Sequence, residues 1–332
     1  MREIQLINKL RDYLQQKRYV VVFDDVWSVN VWEVFKFALP DCCCGSTIIF
    51  TTRISDVAAT IETISHVHHL QPLPEGKAWT LFCMKAFREE SHGICPRELE
   101  EMSYGILNKC GGLPLAVVTI GSLLSTKNKR LLEWKKVHDS LSAKVTSNSN
   151  LEGILMLSYI DLPYHLKYCF LYLSAFPEDY FIKRTKLIRL WVVERFVEEI
   201  SGHSAEEVAE KYLNELVNRS MIQVVEKDYF NRVRTCRVHD IIRDIIQSKS
   251  RDESFVTILN DTRMSLDEKI HRMSIHDSCK ELPLAMRFTS LKSLLVFGSM
   301  YLEKPFFKDF RMLELLDLEG ALLREFPSSW SR

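Results

Sequence analysis

An apolar run that ends in two carboxylates constrains the fold of this chain more than any other feature. Residues 19–23 read YVVVF, and Asp24 and Asp25 follow directly. A continuous apolar run of this length predicts a strand buried on both faces, as in a parallel sheet covered by helices. Ligands of such sheets bind beyond the carboxyl ends of the strands, which is where the acidic pair stands.

The segments around this run predict the rest of an α/β layer. Apolar residues at helical spacing predict an amphipathic helix over residues 4–14, and residues 47–51 predict a second strand, which Arg53 follows. Residues 56–61 predict a short helix and residues 66–70 a third strand. Strands that alternate with helices predict an α/β sandwich.

Beyond this layer the pattern becomes helical. Residues 77–87 and 97–110 carry apolar side chains at helical spacing. Gly111 and Gly112 follow the second helix, and glycine tolerates the left-handed backbone that ends helices. Pro114 then begins another helix, where its missing N–H costs nothing. The sequence therefore predicts a helical bundle after the α/β layer.

A second helical block ends in a predicted hairpin. Residues 162–176 and 184–197 predict helices, and Ser204 with Glu207 has the spacing of a capping box before a third helix. The period then becomes that of strands on both sides of a polar turn at residues 228–231. Three helices and a hairpin predict a winged-helix domain.

The last part of the chain contains a repeat. Ile275, Val296 and Leu318 lie in similar settings at spacings of 21 and 22 residues. Residues 291–296 and 313–318 match the strand part of a leucine-rich repeat, whose period is roughly 20–29 residues. The pattern predicts the start of a repeat array, in which each unit buries its apolar face on a neighbour.

Composition excludes several classes of function. Lys and Arg together number 44, as do Asp and Glu, so the neutral chain gives no electrostatic reason to expect nucleic acid. The basic helix at residues 184–194 also has an apolar face with Leu187 and Trp191 that is typical of a core helix, which argues against a role in DNA recognition. No apolar run is long enough to span a bilayer. The nine cysteines form no C-x-x-C pair, which favours free thiols in a reducing cytosol.

Each local constellation has a functional interpretation and a purely structural one. Asp24 and Asp25 could hold Mg²⁺ through water and polarise an attacking water, or they could cap a turn. Arg53 could reach a phosphate on the same edge of the sheet, or it could be a surface side chain. His239 could meet a phosphate at a helix N-terminus, with Asp240 as the cap, or both could simply begin a helix.

The order of six blocks decides between these interpretations. The blocks are residues 19–27 (YVVVFDDVW), 45–53 (GSTIIFTTR), 70–87 (LQPLPEGKAWTLFCMKAF), 110–116 (CGGLPLA), 169–195 (CFLYLSAFPEDYFIKRTKLIRLWVVER) and 236–243 (CRVHDIIR). This succession resembles the plant NB-ARC/leucine-rich-repeat disease-resistance proteins, which are STAND relatives of the P-loop ATPases. Trp27, at the end of the first block, resembles the coiled-coil class of that family.

The resemblance implies four domains. Residues 1–70 would be a partial nucleotide-binding α/β domain without its P-loop, and residues 71–150 a helical domain. Residues 151–250 would be the winged-helix domain, and residues 251–332 the start of the leucine-rich repeats. The motif that usually reads Met-His-Asp is Val238-His239-Asp240 here, which we expect to be a neutral change.

The resemblance also implies roles for single residues. Asp24 would assist Mg²⁺, and Asp25 would be the acidic residue of hydrolysis. Arg53 would sense the terminal phosphate, and Pro114 would pack near the adenine. His239 would touch the β-phosphate of ADP and hold the winged helix closed on the nucleotide domain.

The function implied by the resemblance is that of an intracellular innate immune receptor. Bound ADP would keep it off and bound ATP would turn it on, with slow ATP hydrolysis between the two states. Its own coiled-coil and repeat domains would restrain it until a pathogen effector or a guarded host protein is sensed. We expect the receptor to form an oligomer on activation and to trigger a hypersensitive response. We expect it to be located in the cytoplasm, including the periphery of the plasma membrane. Asp240, beside the ADP contact, is predicted to act in switching.

One family motif is not in these 332 residues. The P-loop pattern G-x-x-x-x-G-K-[ST] is absent, since the only Gly-Lys pair is Gly76-Lys77 and Ala78 follows it. We therefore expect an N-terminally truncated copy that retains ADP, ATP and Mg²⁺ poorly and is inactive alone. We also expect the strand at residues 19–23 to lack both of its sheet partners. The alternative function is a non-enzymatic regulatory or decoy module derived from such a receptor.

Overall fold

The computed structural model describes ten segments of the chain. They are residues 3–40, 45–62, 66–88, 93–144, 150–259, 270–276, 289–298, 301–302, 310 and 312–323. The chain divides into two compact units, Met1–Gln71 and Pro72–Arg332, each of which is described by itself below.

The first unit is a two-stranded parallel sheet with three helices. Its elements are α1 Glu3–Leu14, β1 Val20–Phe23, α2 Val29–Phe35, β2 Thr47–Phe50 and α3 Ser55–Glu62. β1 and β2 pair in register from Val20 opposite Thr47 to Phe23 opposite Phe50. The predicted opening helix and both predicted strands are confirmed. The sequence patterns did not predict α2, which Ser28 caps by accepting a hydrogen bond from the Asn30 N–H.

Three expectations for this unit were wrong. The strand at residues 19–23 has a partner, because β2 pairs with it along its whole length. It is not buried on both faces, since 67% of Val20 and 56% of Val22 is exposed while the alternate residues turn inward. A strand alternates its side chains, and the small core at Val26 and Val57 covers only one face of β1.

The third predicted strand is also not formed. Residues 66–70 adopt no regular secondary structure. No neighbouring strand pairs with them in the part of the chain that the structure describes. Propensity without a ladder of backbone hydrogen bonds does not make a strand.

We expect the backbone amides of β1 to exchange with solvent faster than those of the buried segment at residues 166–173. The core around β1 has two buried side chains, Val26 and Val57, whereas residues 166–173 lie inside the largest hydrophobic cluster. Local opening is easier where few apolar contacts must break. Native-state hydrogen exchange measures this directly, and equal protection in the two segments would contradict it.

The second unit begins with a helical bundle. Its elements are α4 Glu75–Ala86, a 3-10 turn at Arg97–Leu99, α5 Glu100–Asn108, α6 Pro114–Ser125, α7 Leu131–Lys144 and α8 Asn150–Ile160. Phe82, Phe87 and Trp134 form the aromatic centre of its core. Gly111 and Gly112 have left-handed φ angles of 59° and 71°, which confirms how the preceding helix ends.

A three-stranded antiparallel sheet and four helices follow. They are α9 Tyr164–Leu171 with a 3-10 turn at Tyr172–Ala175, β3 Ile182–Lys183, α10 Arg184–Val193, α11 Ala205–Asn218, β4 Gln223–Lys227, β5 Val233–Arg237 and α12 Asp240–Asp252. The strand order is β3-β5-β4. The predicted capping box is confirmed, because the Ser204 hydroxyl accepts from the Glu207 N–H and the Glu207 carboxylate accepts from the Ser204 N–H. Helices with a β-hairpin wing confirm the winged-helix prediction.

The last part of the unit is a parallel ladder of short strands. Its strands are β6 Thr257–Leu259, β7 Arg272–Ile275, β8 Ser293–Val296, β9 Tyr301–Leu302, β10 Leu315–Asp317 and β11 Leu322–Leu323. One sheet has the order β10-β8-β7-β6, and β9 pairs with β11. Ile275 lies opposite Val296, and Leu294 lies opposite Leu316.

The ladder and the winged-helix region share a hydrophobic cluster. Leu295, Phe297 and Leu315 of the ladder pack into the cluster that contains Leu187 and Trp191 of α10. The basic helix α10 therefore turns an apolar face inward, as its sequence predicted. Among the described helices, none is both long enough and apolar enough to cross a bilayer.

The cysteines that the structure describes are free thiols, namely Cys83, Cys95, Cys110, Cys169 and Cys236. Burial raises the pKa of the Cys110 thiol and that of the Cys236 thiol to about 12. Both remain protonated at neutral pH and pack as small apolar side chains.

Candidate functional site

The carboxyl ends of β1 and β2 place the predicted acidic pair and the predicted arginine side by side. Because the two strands are parallel and in register, Asp24 and Asp25 leave the sheet at the same edge as Arg53. A backbone hydrogen bond joins the segments that follow the two strands, since the Val26 N–H donates to the Thr51 carbonyl at 2.8 Å. All three predicted residues of the first unit therefore meet in one cluster.

Thr51 ties the two carboxylates to the second strand. Its hydroxyl donates to Asp24 Oδ1 and accepts from the Asp25 N–H at 2.8 Å. The neighbouring Thr52 hydroxyl donates to the Val26 carbonyl at 2.7 Å. Neither threonine was predicted as a site residue from the sequence. Their place directly before Arg53, at the end of a predicted strand, was the signal that could have found them.

Asp25 and Arg53 form a bidentate ion pair. Arg53 Nε donates to Asp25 Oδ1 at 3.1 Å, and Arg53 Nη2 donates to Asp25 Oδ2 at 2.9 Å. Asp25 has a φ of 51°, a left-handed backbone that turns its carboxylate toward the second strand. Hydrogen bonding from Arg53 is the largest cause that lowers the pKa of the Asp25 carboxyl below its ordinary value. The paired carboxylate is therefore ionised and charge-balanced at neutral pH.

Trp27 completes this cluster. Its indole Nε1–H donates to Asp25 Oδ2 at 2.9 Å. The Arg53 guanidinium carbon lies 4.5 Å from the centre of the Trp27 ring, which is cation–π distance. From the sequence, Trp27 indicated only a class of the family, and neither contact was predicted.

The donor set beside Asp24 suits a hard divalent cation. A carboxylate and a threonine hydroxyl are oxygen donors of the kind that Mg²⁺ takes, commonly with several waters retained. In the described parts of the chain, no group of three His, Cys, Asp or Glu side chains could hold a metal by itself. Asp24 with Thr51 therefore fits an Mg²⁺ ion whose remaining ligands are water and phosphate, and not an all-protein cage.

The second unit holds the predicted corner before Pro114, which occupies the first position of α6. A cleft of about 220 Å³ opens beside the two glycines and is lined by Leu73, Ala78 and Asn108 among others. The Leu73 N–H donates to the Gly112 carbonyl at 2.9 Å, which draws the chain before α4 against the corner. The corner offers a backbone-tight wall in which the apolar Leu73 and Ala78 stand beside the polar Glu75 and Asn108.

At the end of the hairpin, the cap is His239 and not Asp240. His239 has extended backbone angles, and its Nδ1 accepts from the Ile241 N–H at 3.4 Å. Asp240 is already the first helical residue of α12. The prediction of Asp240 as the cap was therefore wrong by one position, because an imidazole nitrogen can accept from the helix as a carboxylate does. Asp240 still places a negative charge in the first turn, which the helix dipole favours.

Comparison with known proteins identifies two families that match this chain. The NB-ARC domain family matches residues 1–92, and the family described as disease resistance protein winged helix domain matches residues 175–246. The disease resistance protein RPM1 of Arabidopsis thaliana is 41% identical over an alignment that covers 97% of this chain and 36% of that protein.

Two tomato proteins are also similar. The ToMV susceptible protein tm-2 of Solanum lycopersicum is 36% identical and the ToMV resistance protein Tm-2(2) is 35% identical, each over 77% of this chain and 30% of the relative. The chain thus spans about a third of the length of these relatives. A nucleotide-binding family and a winged-helix family match in the order that the motifs require. The chain therefore belongs to the plant NB-ARC disease-resistance protein family.

Proposed function

We propose that this protein is an intracellular innate immune receptor that switches between an ADP-bound resting state and an ATP-bound signalling state. Membership of a family that binds nucleotide supports the proposal. The observation that carries it is the bidentate pair between Asp25 and Arg53 at the carboxyl edge of a parallel sheet. An acid and a guanidinium at that edge are the groups that would meet the end of a bound phosphate chain.

The ion pair gives the switch a physical basis. A guanidinium binds carboxylate and phosphate with the same two-pronged geometry, so a terminal phosphate would compete with Asp25 for Arg53. ADP lacks the γ-phosphate that would compete for Arg53, and the pair would then stay closed. Each nucleotide would thus favour one arrangement through contacts that the other cannot make.

Asp24 and Thr51 would hold the Mg²⁺ that accompanies the nucleotide. The metal would neutralise charge on the phosphates when it is bound. Asp24 would contact it through water, while Thr51 fixes the Asp24 carboxylate from the neighbouring strand. Once released from Arg53, Asp25 would orient the attacking water during slow hydrolysis.

In the second unit we assign Pro114 and the glycine corner to the adenine, and His239 to the β-phosphate. His239 commits Nδ1 to the Ile241 N–H, which directs the phosphate contact to Nε2. The amides at the start of α12 favour an anion at that place. Asp240 places its carboxylate in the first turn of α12 beside His239, and we assign it a role in switching.

We propose the domain limits 1–70, 71–150, 151–250 and 251–332 for the nucleotide-binding, helical, winged-helix and leucine-rich-repeat parts. The parallel ladder of β6, β7, β8 and β10 supports a repeat array, since its strands lie in register. We place the receptor in the cytoplasm and at the periphery of the plasma membrane. A pathogen effector or a guarded host protein would trigger it, with assembly into an oligomer.

The test replaces Arg53 in the protein purified from leaf tissue. We expect Arg53→Gln to weaken ATP binding about 10- to 100-fold while ADP binding changes little, because a charge-assisted contact to the terminal phosphate is lost. Arg18→Gln is the matched control, since Arg18 is an exposed arginine of the same unit that donates to the Gly45 carbonyl. Calorimetry gives both affinities.

Cell-death signalling in leaves provides the second readout. The Arg53→Gln protein should stay silent when triggered, whereas the Arg18→Gln protein should signal normally. A protein that carries no nucleotide and signals equally with either substitution would favour the regulatory or decoy module instead.

A further inference from the structure

We infer that Trp27 is a positioning residue for Arg53: the indole holds the guanidinium in the orientation that a terminal phosphate requires. This inference rests on the proposed function, because it concerns the arginine that would discriminate ATP from ADP.

Trp27 contacts both members of the ion pair and closes a ring of three side chains. The indole N–H donates to Asp25 Oδ2 at 2.9 Å, and the Arg53 guanidinium lies over the indole at 4.5 Å from its centre. Asp25 Oδ2 also accepts from Arg53 Nη2 at 2.9 Å. Each of the three side chains is therefore held by the other two.

The residue type matters for this ring. Tryptophan offers the most favourable aromatic face for a cation and also carries an N–H donor on the same ring. Phenylalanine would keep a face without the donor, and leucine would keep neither. A guanidinium that lies over a ring still has its in-plane N–H groups available for a two-pronged acceptor. Trp27 can thus keep Arg53 oriented when the carboxylate of Asp25 is exchanged for a phosphate.

The contribution of Trp27 to the fold itself is small. Its exposed fraction is 61%, and Trp32 packs against the core cluster of the first unit whereas Trp27 does not. Trp32 packs edge-on against Phe50 at 5.4 Å, within that core. The exposed Trp27 side chain therefore contacts Asp25 and Arg53 without adding to the buried core. Trp32 therefore offers a matched control within the same unit.

The experiment measures ADP and ATP affinity by calorimetry for the protein purified from leaf tissue. We expect Trp27→Leu to lower the ratio of ATP affinity to ADP affinity about 2- to 5-fold, with ADP affinity unchanged, which corresponds to an exposed cation–π contact. Trp27→Phe should keep most of the ratio because the aromatic face remains. Trp32→Phe should leave the ratio unchanged and lower only the melting temperature.

A double substitution separates a positioning role from a structural one. If Trp27 acts through Arg53, then Trp27→Leu should have no further effect on the ratio in an Arg53→Gln protein. Equal losses of ADP and ATP affinity in Trp27→Leu, or an additive effect in the double variant, would overturn the inference and leave the nucleotide switch intact. A wild-type protein that binds neither nucleotide, or that binds both with equal affinity, would overturn the proposed function as well as this inference.

Discussion

Arg272→Met is expected to lower the free energy of unfolding of the second unit by about 3–5 kcal/mol. The substitution leaves a buried carboxylate without its partner, since the Glu194 side chain is only 5% exposed and accepts from Arg272 Nε at 2.7 Å. Methionine keeps the apolar stem that packs near Phe196 and Phe255, over which the guanidinium lies in the native protein. The loss therefore comes from the unpaired charge and not from a cavity.

Chemical denaturation followed by circular dichroism measures this effect. Arg195→Met is the matched control, because Arg195 is 83% exposed and its ion pair with Glu314 spans 3.7 Å. We expect the control to change stability by less than about 0.5 kcal/mol. The double variant Glu194→Leu with Arg272→Met should recover most of the loss, since two apolar side chains leave no buried charge. Similar losses from Arg272→Met and Arg195→Met would show that Glu194 is solvated.

Gly112→Ala is expected to destabilise the helical bundle by about 2–5 kcal/mol, and Gly111→Ala by only about 1–2 kcal/mol. Both glycines have a left-handed φ, so alanine strains the backbone at either position. A Cβ on Gly112 would also stand 2.8 Å from the Leu73 carbonyl oxygen and 2.9 Å from Pro72 Cβ, whereas a Cβ on Gly111 would meet nothing within 4 Å. The difference between the two variants isolates the close approach of the chain before α4.

Thermal and urea unfolding of both variants measure that difference. Binding of ADP provides a second readout, since the cleft beside Gly112 is the proposed adenine wall. Gly112→Ala should weaken ADP binding more than Gly111→Ala does, because the Leu73 backbone must move away from the corner. Equal effects of the two substitutions on stability would contradict the packing argument.

Much of the architecture follows from the sequence alone. The apolar run before Asp24, the glycine pair before Pro114 and the capping box at Ser204 each predict an element from local physical chemistry, and the structure has all three. These signals work because backbone strain and helix capping are decided within a few residues, whereas the two-sided burial predicted for the strand was not. The order of the motifs identified the family, which the matched families confirm.

Pairing in space was decided by the tertiary structure. The sequence predicted a strand at residues 66–70 that forms no ladder, and it predicted no partner for β1, which β2 provides. Strand pairing joins residues far apart in the chain, so the residue pattern within one segment cannot determine which strand it pairs with.

The same distinction applies to the candidate site. The sequence singled out Asp25 and Arg53 as separate residues, whereas the parallel register of β1 and β2 made them one ion pair with Trp27 beside it. Similarly, Gly111 and Gly112 are equivalent in the sequence, and only the close approach of the Leu73 backbone leaves no room for a side chain at Gly112. The sequence determined which chemical groups stand at the carboxyl ends of β1 and β2 and at the glycine pair before Pro114. The distances at which they act depend on contacts between remote segments, and only the folded structure sets those.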